Sequence, residues 1–76
     1  MSTVRITDTE ELGKRIREKR HELKLTLEAA AGLSGVGFRF LSELERGKST
    51  SEIGKVLQVL SRLGLEVHLT ERGNRK

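Results

Sequence analysis

Residues 25–47, LTLEAAAGLSGVGFRFLSELERG, carry the reading on which the rest of the chain depends. They divide into two short helical stretches around a tight turn that contains glycine, and the second stretch closes on Glu45-Arg46-Gly47. Ala30 and Ala31 are small enough for the first helix to lie close against the second. Gly35 falls in the turn, where a positive φ or a close backbone approach excludes a side chain. Leu41 and Leu44, three apart, share one face of the second helix and point into a core. Phe38, Arg39, Ser42 and Glu43 are left facing outward. Thr26 suits the N-cap of the first helix, which runs to about Leu33, and Gly37 that of the second, about 38–46, which Gly47 ends.

Upstream, Asp8 followed by Glu11 has the form of a capping box and places acidic groups where a helix dipole favours them. Leu12, Ile16, Leu23 and the stem of Lys19 then form an interrupted apolar stripe, so a helix is expected over about 9–22. Downstream, Ser49, Thr50 and Ser51 are successive N-cap candidates for a further helix. Its core stripe is Ile53, Val56, Leu57, Leu60 and Leu63, and Gly64 stops it. After Gly64 the period becomes two: Leu65, Val67 and Leu69 alternate with Glu66, His68 and Thr70, the pattern of a strand. A lone strand leaves its backbone groups without partners. It is expected to pair either with TVRIT at 3–7 or, preferably, with its mate in a symmetric dimer, which would also enlarge a small core. The organisation is therefore an arm or short strand (1–7), a helical domain (8–64), a dimerisation strand (65–70) and a flexible charged tail (71–76). The fold class is all-α, four or five helices with one short C-terminal β-strand.

The 76 residues make one small domain, near the size at which a single core is barely sufficient. Cysteine is absent, which excludes disulfides and thiolate metal sites and suits a reduced cytoplasmic setting. No apolar run is long enough to span a bilayer, and no secretory h-region follows Met1. With no proline and only two aromatic residues, a strongly punctuated β-architecture is disfavoured. The net charge is +4, with Lys14, Arg15, Arg17, Lys19, Arg20 and Lys24 crowding one segment and Arg39, Arg46, Lys48 and Lys55 following. That balance favours a polyanionic partner, although a solvated helix face laced with glutamate would read the same way.

The 25–47 pattern is the sequence form of a helix-turn-helix, whose second helix enters the major groove of DNA. Arg39, near the start of that helix, can donate two bonds to a guanine edge. Ser42 can bond a base or a phosphate, Glu43 can accept from cytosine or exclude wrong bases, and Phe38 can meet a thymine methyl. Phe40 is placed at the edge of the core or against another protein rather than on DNA. Thr26, Arg46, Lys48 and Ser49 are the phosphate candidates, and a cap hydroxyl can serve both roles. His21 and His68 lack ligand-spaced neighbours, so no metal or other cofactor is expected. No nucleophile elbow, phosphate-cradling loop or carboxylate pair suggests an enzyme.

Residues 12–69 resemble the Cro/repressor-type (XRE) helix-turn-helix family. The likeness lies in LGKRIREKRHELKLT, Ala31, Gly35-Val36, Leu41-Ser42 and Leu44-Glu45-Arg46-Gly47. GVGFRFLSELERGK, KVLQVLSRLGL and a closing LEVHL resemble its HipB-type antitoxin branch. The resemblance implies a lambda-repressor-like fold and a structural ion pair between Arg20 and Glu45. It also implies a homodimer on a palindromic operator in a bacterial or archaeal cytoplasm, with the strands of Leu65, Val67 and Leu69 paired. A HipA-like serine/threonine kinase is the toxin partner it would imply. A stand-alone repressor and a protein-binding adaptor are the alternatives. Two positions depart from the family pattern: Leu27 stands where a phosphate-contacting Gln is usual, and Gly37 where Ser is usual.

Overall fold

The computed structural model describes residues 3–72, and four helices make up its regular structure: α1 (Thr9–Glu22), α2 (Leu27–Ser34), α3 (Phe38–Glu45) and α4 (Ile53–Arg62). Asp8 opens α1, its carboxylate accepting from the Glu11 amide at 2.8 Å. The Glu11 carboxylate reaches back to the Thr7 amide and hydroxyl at 2.7 and 2.8 Å, a capping box shifted by one residue. These bonds hold the Glu11 carboxyl below its usual range, the Thr7 amide contributing most. Thr26 caps α2 by accepting from the Ala29 amide at 3.0 Å.

The helices end alike. At the end of α3 the Gly47 amide donates to Leu44 O and the Lys48 amide to Glu43 O, at 3.0 and 3.1 Å, with Gly47 at φ +91°. This is the Schellman turn, which satisfies carbonyls that the helix leaves unpaired. Corresponding bonds close α2 at Gly35 and α4 at Gly64, while α1 closes on Lys24, at φ +59°.

Ile16 of α1, Ala30 and Ala31 of α2, Leu41 and Leu44 of α3, Val56, Val59 and Leu60 of α4, and Leu63 form the core. α3 lies between α1 and α2, and α2 also carries α4. The α1–α3 approach is close enough that a Cβ on Gly13 would lie 2.6 Å from Glu45 O and nearer still to Leu44 O. Thr9 Oγ1 donates to Gly47 O at 2.8 Å and fastens the start of α1 to the end of α3. On α4, Gln58 Nε2 donates to Ser34 O at 2.6 Å, tying that helix to the end of α2.

Three expectations are corrected. The N-cap of α4 is Glu52, without a side-chain cap bond, rather than Ser49, Thr50 or Ser51; Ser51 Oγ instead turns back to Lys48 O at 3.4 Å. The buried arc of α4 runs through Val56, Val59, Leu60 and Leu63, so Leu57 falls at its edge and Ile53 stands on the uncovered first turn, 47% and 68% exposed. Leu23, expected in the α1 stripe, caps that helix and is exposed.

The strand expected over 65–70 is absent among the described residues, as is one at 3–7. Leu65 packs on the core, but Leu69 is 96% exposed, and a ladder needs a second strand that this single chain does not place beside it. Of the tail expected over 71–76, residues 73–76 lie outside the described part.

Candidate nucleic-acid interface

Helix α3 is only eight residues long and divides its side chains sharply. Leu41 and Leu44 are buried, Phe40 packs against the core with Lys55 Nζ 5.7 Å from its ring centre, and Phe38 and Arg39 are exposed. Phe38, Arg39, Ser42, Glu43 and Arg46 line one open depression on the molecular surface. All four residues singled out for base reading are thus on one face, joined by Arg46 from the phosphate set.

The face is held by its back. Arg20 Nε and Nη2 donate to the two carboxylate oxygens of Glu45 at 2.7 and 3.0 Å, a two-pronged pair whose side chains are 12% and 6% exposed. Arg20 Nη1 also donates to Leu25 O at 3.0 Å, so one guanidinium binds α1, the α1–α2 turn and α3 together. The Glu45 carboxylate raises the pKa of Arg20 further above its ordinary value. The ion pair implied by resemblance is therefore present, and it makes the orientation of α3 a property of the fold.

The charges on the face are unequal. Arg39 makes no hydrogen bond or ion pair with the described residues. Glu43, by contrast, accepts from Lys48 Nζ at 3.0 Å, so a base-reading candidate and a phosphate candidate are bonded to each other. Lys48, with Arg39 and Arg46 beyond it, holds the Glu43 carboxyl below its usual range. The sequence reading missed this pair. Its signal was Gly47, because a Schellman turn brings residue 48 back over residue 43.

Thr26 and Ser49 are exposed but lie outside the depression, and Thr26 Oγ1 is already used as a cap. Leu27, in place of a polar residue, turns partly onto the core. Of the basic run around α1, Arg15, Lys19 and Arg20 have carboxylate partners, whereas Lys14, Arg17 and Lys24 have none within ion-pair distance among the described residues. Arg15 lies 3.8 Å from Glu18 and from Glu22, and Lys19 the same distance from Glu22. Gly37 caps α3 without a side chain, which leaves that N-terminus open.

Comparison with known proteins places these features. A helix-turn-helix family profile matches residues 16–69. An uncharacterized HTH-type transcriptional regulator of Sinorhizobium fredii, y4mF, is 43% identical over 72 residues, covering 95% of each chain. Among solved structures, the chain is similar to one described as a HipA-HipB-O2-O3 complex, with a TM-score of 0.83, 17% identity, and coverage of 93% of this chain and 100% of that one. A HipB-O4 20mer complex matches with a TM-score of 0.82 at 17% identity, again over 93% and 100% of the two chains. At that identity the likeness is one of fold.

Proposed function

The chain belongs to the helix-turn-helix family, and on that premise we propose that it is a sequence-specific DNA-binding repressor acting as a homodimer on a palindromic operator. The observation that carries the reading is the single face of α3, on which Phe38, Arg39, Ser42 and Glu43 stand together while the Arg20–Glu45 pair fixes the helix from behind. Arg39 is the principal reader, free to donate both prongs to guanine. Ser42, Glu43 and Phe38 meet neighbouring base edges. Thr26, Arg46, Lys48 and Ser49 hold the phosphates and set the register. The two copies of α3 enter successive major grooves about 34 Å apart, and the segments of Leu65, Val67 and Leu69 pair across the two-fold axis. The setting is cytoplasmic, on the nucleoid when operator is bound.

The HipB-like fold favours a second role within the same reading, that of an antitoxin which represses its own operon and binds a HipA-like kinase. A kinase-like gene beside this one would support that role, and an unrelated neighbour would favour a stand-alone repressor.

The test is binding to a fragment of the chain's own promoter and to random duplex across a salt series. The expected result is preference for the promoter, steep weakening with salt, and loss of about 1–3 kcal/mol of that preference in Arg39→Ala. Equal, weak binding to both duplexes would overturn the reading and favour an adaptor.

A further inference from the structure

The pair formed by Glu43 and Lys48 has a use that goes beyond contact with DNA. Lys48 is tied to Glu43 twice, by its amide to Glu43 O at 3.1 Å and by Nζ to Glu43 Oε1 at 3.0 Å. The first bond belongs to the Gly47 turn and brings the Lys48 backbone back over Glu43, which puts Nζ within reach of the carboxylate. Glu43 lies on the groove-facing surface with Arg39, Ser42 and Arg46, and the Lys48 side chain is 47% exposed. On phosphate-rich DNA, a bare carboxylate at that place would be repelled.

We infer that Glu43 is a specificity residue that withholds Lys48 from the phosphate backbone until a cytosine amino group in the major groove takes the lysine's place. The inference rests on the reading of α3 as the DNA-reading helix. On operator, cytosine N4 donates to the carboxylate as Lys48 Nζ leaves it for a phosphate, so the exchange conserves a partner for each charged group. On other sequences, release of Lys48 strands Glu43 among phosphates, and the lysine stays where it is. Base readout and phosphate contact are thereby coupled, and one phosphate contact is denied to non-specific DNA.

The experiment compares the full-length chain, Glu43→Gln, Lys48→Met and the double variant on promoter fragment and on random duplex, with helicity checked by circular dichroism. Neutralising one more phosphate steepens the log K against log salt slope by about 0.9 per subunit. Glu43→Gln is expected to show that added slope on random duplex, a gain of up to about tenfold per subunit at 0.1 M salt, and so a smaller promoter-to-random ratio. In the Lys48→Met background the same change should leave the slope on random duplex where Lys48→Met alone has it. Removal of a negative charge would by itself raise affinity with or without Lys48. An equal effect of Glu43→Gln in both backgrounds, or no added slope, therefore overturns the coupling. Wild-type chain that does not distinguish promoter from random duplex removes the DNA-reading role itself, and the coupling with it.

Discussion

At the scale of single residues, Arg20 and Glu45 show how a structural pair and a reading surface divide the charges of one helix. Glu45 is turned into the interior against a guanidinium that spends all three of its nitrogens, two on the carboxylate and one on Leu25 O. Glu45→Gln keeps the shape but leaves a part-buried cation without its counter-charge, and should cost about 2–3 kcal/mol in urea unfolding, less than for a fully buried pair. Replacing both partners by Met should recover part of that loss, since two desolvated charges are removed together. A cost under about 1 kcal/mol for the single variant would mean that α3 is oriented by packing alone. Residue chemistry was legible where a single position decides the outcome. Leu41 and Leu44 turned inward, Gly35 took the left-handed turn, and Phe38 and Arg39 stayed outside. Gly13 was not legible in the same way, because the backbone it makes room for lies more than thirty positions away in sequence.

At the scale of elements, the ends of helices explain more than their middles. Three of the four helices close on glycine in the left-handed region, and the sequence announced each of them. The end of α1 falls at residue 22, as expected, but it closes without glycine: Lys24 occupies the same conformation at φ +59°, with its amide bonded to His21 O and that of Leu25 to Arg20 O. A side chain there costs about 1–2 kcal/mol relative to glycine. Lys24→Gly is therefore expected to raise stability by up to about 1 kcal/mol once the added flexibility of the unfolded chain is offset. The rise would appear as a higher urea midpoint at unchanged m-value. A lower midpoint would mean that the lysine stem contributes packing that outweighs its backbone strain. The caps of α4 were misread for a related reason. Three hydroxyl residues precede it, but the Schellman turn ends at Lys48, Ser51 Oγ turns back to Lys48 O, and the N-cap falls one residue later, on Glu52.

At the scale of the whole molecule, the balance between core and surface argues for association. The described residues bury nine apolar side chains, two of them alanine, while Ile53, Leu57, Val67 and Leu69 remain 47–96% exposed. A core of that size is small for a domain of 76 residues, and the alternation over 65–70, which forms no ladder among the described residues, fits the proposed pairing with a second copy. Local patterns fix helices within a chain, whereas a pairing with a second copy, if it forms, is legible only as an unmet requirement. If the domain folds as a dimer, its melting temperature depends on protein concentration, because dissociation accompanies unfolding. For two chains of this length each tenfold dilution removes about 1.4 kcal/mol and lowers the midpoint by roughly 4 °C. Substituting lysine for both Val67 and Leu69 should remove that dependence, because like charges facing one another across a two-fold axis oppose pairing. The variant should then melt at the lower, dilute-limit temperature. A wild-type midpoint that stays constant over a hundredfold range of concentration would show that the four helices suffice alone, and the two copies of α3 would then lose the linkage that sets their spacing on DNA.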